Sequence, residues 1–157
     1  MNPLPRFYTS LDDFQPVFET GRPILTYHKL GPRPPGVRMK GLYVDQHLFR
    51  RQLSELRADN WESALPDGSS FPQSVATRPD RRIAITFDDG FENVLLHGLA
   101  PLTQHGFQAI QFLVADLVGR TNVWEQELLR EAPERLMDAS QVREWLAAGH
   151  GRRRYRW

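Results

Sequence analysis

The chain has 157 residues, of which 40% are hydrophobic and 25% are charged, so it is long enough for one soluble domain with its own core. It contains no cysteine, which excludes disulfides, zinc–thiolate sites and thiol catalysis. The net charge is +1, but four arginines lie in residues 151–157, so the rest of the chain is mildly acidic. Nothing in this charge distribution indicates a nucleic-acid surface.

The N-terminal residues show no targeting pattern. Residues 1–21 contain no continuous apolar stretch, and no segment of the sequence is long and apolar enough for a transmembrane helix. The sequence therefore predicts neither a signal peptide nor a membrane span, and a cytoplasmic location is expected. Residues 1–22 are interpreted as an N-terminal extension with helical character around Leu11 to Phe18. No pattern predicts an oligomeric state.

Short apolar runs alternate with amphipathic segments along the rest of the chain. Strands are predicted for Ile24–Tyr27, Ile83–Phe87 and Ala109–Val114, and loops for Lys29–Lys40 and the proline-containing stretch from Pro66 to Pro79. Helices are predicted after Asp45, over Asn93–His105 before Gly106, over Trp124–Arg130, and from Asp138 with Gln141 to Gly149. This alternation predicts an α/β protein with parallel strands. A further strand is expected next, but residues 151–157 lack an apolar strand pattern.

The strongest chemical signal is the string Thr86-Phe87-Asp88-Asp89-Gly90. A buried strand here would deliver two adjacent carboxylates to its C-terminal end, where α/β proteins place their sites. Neighbouring side chains at a strand end can point in different directions, so one carboxylate can bind a cation while the other accepts a proton. Helix capping is the simpler explanation for an isolated Asp-Asp-Gly. Here a buried strand directly precedes the Asp-Asp-Gly string, which favours the catalytic interpretation.

This string and its surroundings resemble the polysaccharide deacetylase family. The resemblance is carried by the segments Pro23–His28, Val44–Leu56, Ile85–Gly90, Ala109–Val114 and Gln141–His150. It implies that residues 23–150 form a partial, distorted (β/α) barrel. It also implies a divalent-metal hydrolase, with zinc as the expected metal, that removes acetyl groups from a polysaccharide or oligosaccharide.

The same resemblance implies roles for individual residues. Asp88 would be the general base that takes a proton from a metal-bound water, and Asp89 would be a metal ligand. His28 ends the first predicted strand and is a candidate for substrate binding, while a structural histidine bonded to a loop backbone is an equally good explanation. His150 is not expected to be a ligand.

The sequence departs from the family pattern after His150. The family's second motif has two histidines four residues apart, and no histidine follows His150 here. Residues 151–157 are interpreted as a basic segment outside the family pattern, produced by a frameshift or truncation, or else as a tail that binds acidic polymer or membrane. The metal site is therefore expected to be incomplete. Three interpretations stay open: a deacetylase that is incomplete in this chain, a non-catalytic carbohydrate-binding remnant, and a fragment without function.

Overall fold

The structure, a computed structural model, describes residues 10–20, 23–64, 81–125 and 132–155. The strands are β1 (Ile24–Tyr27), β2 (Lys29–Leu30), β3 (Tyr43–Val44), β4 (Glu62–Ser63), β5 (Arg82–Phe87), β6 (Ile110–Val114) and β7 (Gly151–Tyr155). The helices are α1 (Gln15–Thr20), α2 (Gln46–Ala58), α3 (Glu92–His105) and α4 (Ala139–Ala147). Short 3-10 turns cover Leu11–Phe14, Lys40–Leu42 and Ala115–Leu117.

The central strand of the main sheet is β5. Its partner on one side is β1, in a parallel register that runs from Ile24 opposite Ala84 to Tyr27 opposite Phe87. On the other side, β4 pairs with the start of β5 and β6 pairs with its end, and β7 continues the sheet beyond β6. All of these pairings are parallel, so the carboxyl ends of the strands meet at one edge. The predicted α/β class is confirmed, and the described strands form an open sheet of the kind expected for a partial barrel.

Most predicted elements are present, with two corrections. The predicted loop Lys29–Lys40 begins with a strand, because Lys29 and Leu30 pair in parallel with Tyr43 and Val44. Residues 151–157 were expected to fall outside the strand–helix order, yet Gly151–Tyr155 forms β7, which pairs with β6 at five positions. Backbone pairing rather than an apolar pattern defines this strand. Residues 123–125 are helical, at the start of the helix predicted for Trp124–Arg130. The remainder of that predicted helix and the predicted loop from Pro66 to Pro79 lie outside the described residues.

Local sequence signals account for the helix ends. The Asp45 carboxylate accepts a hydrogen bond from the His47 backbone at 2.8 Å and opens α2. Helix α3 ends at Gly106 in a left-handed conformation, with φ of 69°. Asp138 and Gln141 form the predicted capping box of α4. No described helix has the length and apolar composition to cross a membrane.

The core holds β5 in place from its helix-covered face. The Phe87 ring lies 5.5 Å from Tyr27, 5.8 Å from Phe49 and 5.9 Å from Trp145 between ring centroids, so β1, α2 and α4 all converge on the last residue of β5. Aromatic pairs of this kind contribute about 0.5–1.5 kcal/mol each beyond area burial. The residue that follows this anchored position is Asp88.

Candidate active site

The two adjacent aspartates lie where β5 ends. The Asp88 backbone N–H donates to the Tyr27 carbonyl at 2.9 Å, so pairing with β1 continues one residue past the strand. Asp89 and Gly90 then adopt left-handed conformations, with φ of 69° and 82°. A Cβ at position 90 would stand 2.9 Å from Leu113 Cδ2, so this turn requires glycine both for its backbone and for its space. The backbone therefore turns sharply directly after Asp88, as Gly90 in the sequence predicted.

Asp88 faces a histidine from the neighbouring strand. His28 Nε2 lies 3.8 Å from Asp88 Oδ2, and the two side chains are 32% and 35% exposed. The β1–β5 register explains this, because Tyr27 lies opposite Phe87 and the next residue on each strand reaches the same edge. The distance is that of an ion pair when the imidazole is protonated, and it is too long for a hydrogen bond. The structure therefore brings together two of the residues singled out in the sequence.

Burial raises the pKa of the Asp88 carboxyl above its usual value. The positive charge that His28 can carry lowers this pKa, and the neighbouring charge of Asp89 raises it again. A carboxylate with a raised pKa is a stronger base, because it binds a proton at a higher pH than an ordinary carboxylate does. Asp88 therefore has a property that a general base needs, in a side chain that solvent reaches.

A short segment that the sequence pattern did not predict holds the aspartate turn from outside. Residues 134–137, here called the strap, run antiparallel to the turn and form a bridge between Leu136 and Phe91. The Met137 N–H donates to the Gly90 carbonyl at 2.8 Å, and the Glu92 N–H donates to the Arg135 carbonyl at 3.0 Å. The strap thus fixes the backbone on both sides of Phe91.

Sequence reasoning also missed a buried ionic cluster next to the site. Lys29 has no exposed surface, and its ammonium contacts Glu125 Oε2 at 2.5 Å and Glu134 Oε1 at 2.8 Å. The two glutamates lie about a hundred residues away along the chain. No local pattern signals this contact, because each of the three residues reads as a solvated charge in its own segment.

Two other histidines, His150 and His97, make their contacts elsewhere in the described structure. His150 is 5% exposed, its Nδ1 accepts a hydrogen bond from the Ala109 N–H at 3.2 Å, and its ring stacks on Trp145. His97 Nδ1 lies 3.2 Å from Gln46 Oε1 on the α2–α3 contact. Within the part of the chain that the structure describes, no group of three or more His, Asp or Glu side chains could hold a metal ion. These residues therefore offer a ligand but not a full metal site, since such sites normally need three protein ligands.

Comparison with known proteins shows which sequences and structures the chain resembles. Residues 76–151 match the sequence model of the polysaccharide deacetylase family. This stretch is a polysaccharide deacetylase sequence. The matched part of the deacetylase domain contains Asp88, Asp89 and the strap, whereas His28 and Lys29 precede it. No curated protein sequence matches the chain.

Solved deacetylase structures share the fold. The chain is similar to IcaB from Ammonifex degensii, with 22% identity and a TM-score of 0.67 over 86% of this chain and 52% of that one. The Streptococcus pyogenes deacetylase PplD, in complex with acetate, gives 18% identity and a TM-score of 0.60 over 85% and 55%. For BC0361, a polysaccharide deacetylase from Bacillus cereus, the identity is 18% and the TM-score is 0.63, over 85% of this chain and 38% of that one. The chain thus spans roughly half or less of these structures' length.

Proposed function

We propose that this chain supplies the proton-accepting part of a metal-dependent carbohydrate deacetylase site, with Asp88 as the general base and Asp89 as one ligand of a divalent cation, zinc. The observation that supports this most directly is the Asp88 carboxyl. It is partly exposed at the carboxyl end of a parallel strand, its pKa is raised by burial, and it faces His28 at 3.8 Å. The family match over residues 76–151 supports the substrate class, an acetylated polysaccharide or oligosaccharide.

The chemistry assigned to Asp88 is proton transfer. Hydrolysis of an acetyl group requires a water molecule to lose a proton as it attacks the carbonyl carbon. A positioned carboxylate that accepts this proton accelerates such a step by about 10²–10⁴-fold. His28 would contact a substrate oxygen through its ring nitrogen, because it lies on the same edge as Asp88 and is similarly exposed.

Asp89 is the one residue proposed to bind the divalent cation. In the family such a cation acidifies water and polarises the acetyl carbonyl. The described residues do not complete its ligand set around Asp89. We propose that the metal site of this chain is incomplete by itself and that its turnover is correspondingly slow.

The test is acetate release from an acetylated chitooligosaccharide with zinc in excess. We expect slow release that Asp88→Asn abolishes. Asp12→Asn is the matched control, since Asp12 is an exposed aspartate at the first 3-10 turn. Release that is unaffected by Asp88→Asn would refute the general-base assignment. Sugar binding by calorimetry without any acetate release would favour the non-catalytic carbohydrate-binding alternative.

A further inference from the structure

Lys29 is fully buried next to the candidate site, and all three N–H groups of its ammonium donate hydrogen bonds. Lys29 is 0% exposed, and its ammonium donates to Glu125 Oε2 at 2.5 Å, to Glu134 Oε1 at 2.8 Å and to the Tyr43 hydroxyl at 3.4 Å. The Tyr43 hydroxyl also bonds Glu134. One buried cation thus faces the buried carboxylate of Glu125 and the partly exposed carboxylate of Glu134. A buried ammonium of this kind must be paired.

The Lys29 side chain links the chain segment that carries His28 to the segment that carries Asp88. Lys29 directly follows His28, so its side chain anchors the end of β1. The same Nζ lies 4.4 Å from the centroid of the Phe91 ring, and Phe91 closes the turn formed by Asp89 and Gly90. A lysine over an aromatic face is attracted to it, and the attraction grows when the charge is desolvated.

A second chain of hydrogen bonds closes the same loop. Asn93 Nδ2 donates to Glu134 Oε2 at 3.1 Å, and Asn93 Oδ1 accepts from the Leu30 N–H at 3.2 Å. Glu134 is the first residue of the strap, and the strap is hydrogen-bonded to the aspartate turn. Contacts therefore run without a break from Lys29 through the strap to this turn. A displacement of Lys29 would reach both partners of the His28–Asp88 contact.

The residue type at position 29 is itself informative. Lys29 is one of only two lysines in a chain whose other cations are arginines. An ammonium is a compact point charge that suits three converging acceptors, whereas a guanidinium is a wide planar fork. The other lysine, Lys40, is exposed.

We infer that Lys29 is a positioning residue, whose buried ammonium joins the end of β1 to the Asp88–Phe91 turn and so sets the distance between His28 and Asp88. This inference rests on the proposed function, because the pair it positions is the proposed catalytic pair. Lys29 itself does not reach substrate, since it has no exposed surface.

The experiment separates positioning from charge compensation. Lys29→Met alone leaves the buried Glu125 and the partly exposed Glu134 without a cation and is expected to fold poorly. The double variant Lys29→Met/Glu125→Gln keeps the formal charge of the cluster while removing the ammonium. Lys29→Arg keeps the charge but not the shape, and Lys40→Met is the control for loss of an exposed lysine. Each is made in the full 157-residue chain.

Two readouts are measured on every folded variant: kcat and KM for acetate release, and the backbone amide NMR signals. For the double variant and for Lys29→Arg we expect kcat to fall by about 10–100-fold with KM nearly unchanged, since misplacement of about 1 Å has such costs. Amide signals should shift at residues 28–30 and 88–91 and stay unchanged in α4. Wild-type kcat and wild-type amides in the folded double variant would overturn the inference.

The positioning role of Lys29 and the proposed deacetylase function can fail separately. If wild-type protein shows no acetate release that depends on Asp88, the proposed function fails by itself, and the amide signals alone decide whether Lys29 positions the two turns. If the double variant does not fold, Tyr43→Phe replaces it, because this change removes a hydroxyl partner of Lys29 and Glu134 without altering charge. Unshifted amides at both turns in Tyr43→Phe would then count against positioning, and shifts at both turns would support it.

Discussion

Acid should destabilise this protein through one buried histidine, His150. His150 is buried against Trp145, and its Nδ1 accepts a hydrogen bond from the Ala109 N–H, so the folded state holds the neutral imidazole. Protonation would convert that acceptor into a donor and place a charge in the core. Burial accordingly lowers the pKa of His150 from the ordinary 6.5 to about 4.

The sign and size of the effect follow from linkage. The folded protein binds this proton less readily than the unfolded chain, so the stabilisation is complete above about pH 6.5 and is lost as the pH falls toward about 4. The difference between about 4 and 6.5 corresponds to roughly 3 kcal/mol. Small domains are stable by only about 5–15 kcal/mol, so this loss is easily measured.

The assay is urea denaturation followed by tryptophan fluorescence at about pH 7 and about pH 4. Carboxylates also titrate in this range, so the histidine contribution is isolated with His150→Asn, whose Oδ1 can replace the Nδ1 acceptor without titrating. The wild type should lose roughly 3 kcal/mol more than His150→Asn between the two pH values. His47→Asn, at an exposed histidine of α2, is the control. Equal losses in the wild type and in His150→Asn would refute the reasoning.

Three further outcomes are expected. Gly90→Ala should destabilise the fold by at least ~1–2 kcal/mol in thermal melts, because φ is 82° and the new Cβ would stand 2.9 Å from Leu113; Gly41→Ala, with nothing within 4 Å, is its control. Asp138→Ala should cost ~1 kcal/mol through loss of the α4 capping box, measured by circular dichroism, whereas Glu144→Ala on the exposed face should change little. Zinc should bind the chain more weakly than ~1 μM by calorimetry, since Asp89 would be one ligand where sites normally use three. Tighter binding that Asp89→Asn removes would reveal ligands outside the described residues.

The candidate site was predictable from sequence because its signals are local. The apolar run before Asp88 predicts a buried strand, Gly90 predicts a sharp turn, and the adjacent parallel strand brings His28 to the same edge. The raised pKa of Asp88 was not predictable, because it depends on how deeply the surrounding loops bury the carboxyl.

The parts that sequence reasoning missed depend on distant residues. In the sequence Lys29 is the start of a glycine- and proline-rich loop, and its burial depends on Glu125 and Glu134, which are distant along the chain. Strand β7 has no apolar alternation, so only its pairing with β6 reveals it. In both places the tertiary environment outweighs local propensity.

The division of one side of β5 between two partners fixes more than the order of the strands. Strand β4 occupies the positions opposite Arg82 and Ile83, and β6 begins only at Thr86. A slip of β6 toward the start of β5 would run into β4, so the shorter strand acts as a stop for the longer one. Gln111 is thereby kept opposite Phe87, where its amide reaches the Asp88 carbonyl at 3.4 Å. The pairing of β4 with the start of β5 thus helps to set the position of Gln111 beside Asp88, at the other end of the same strand.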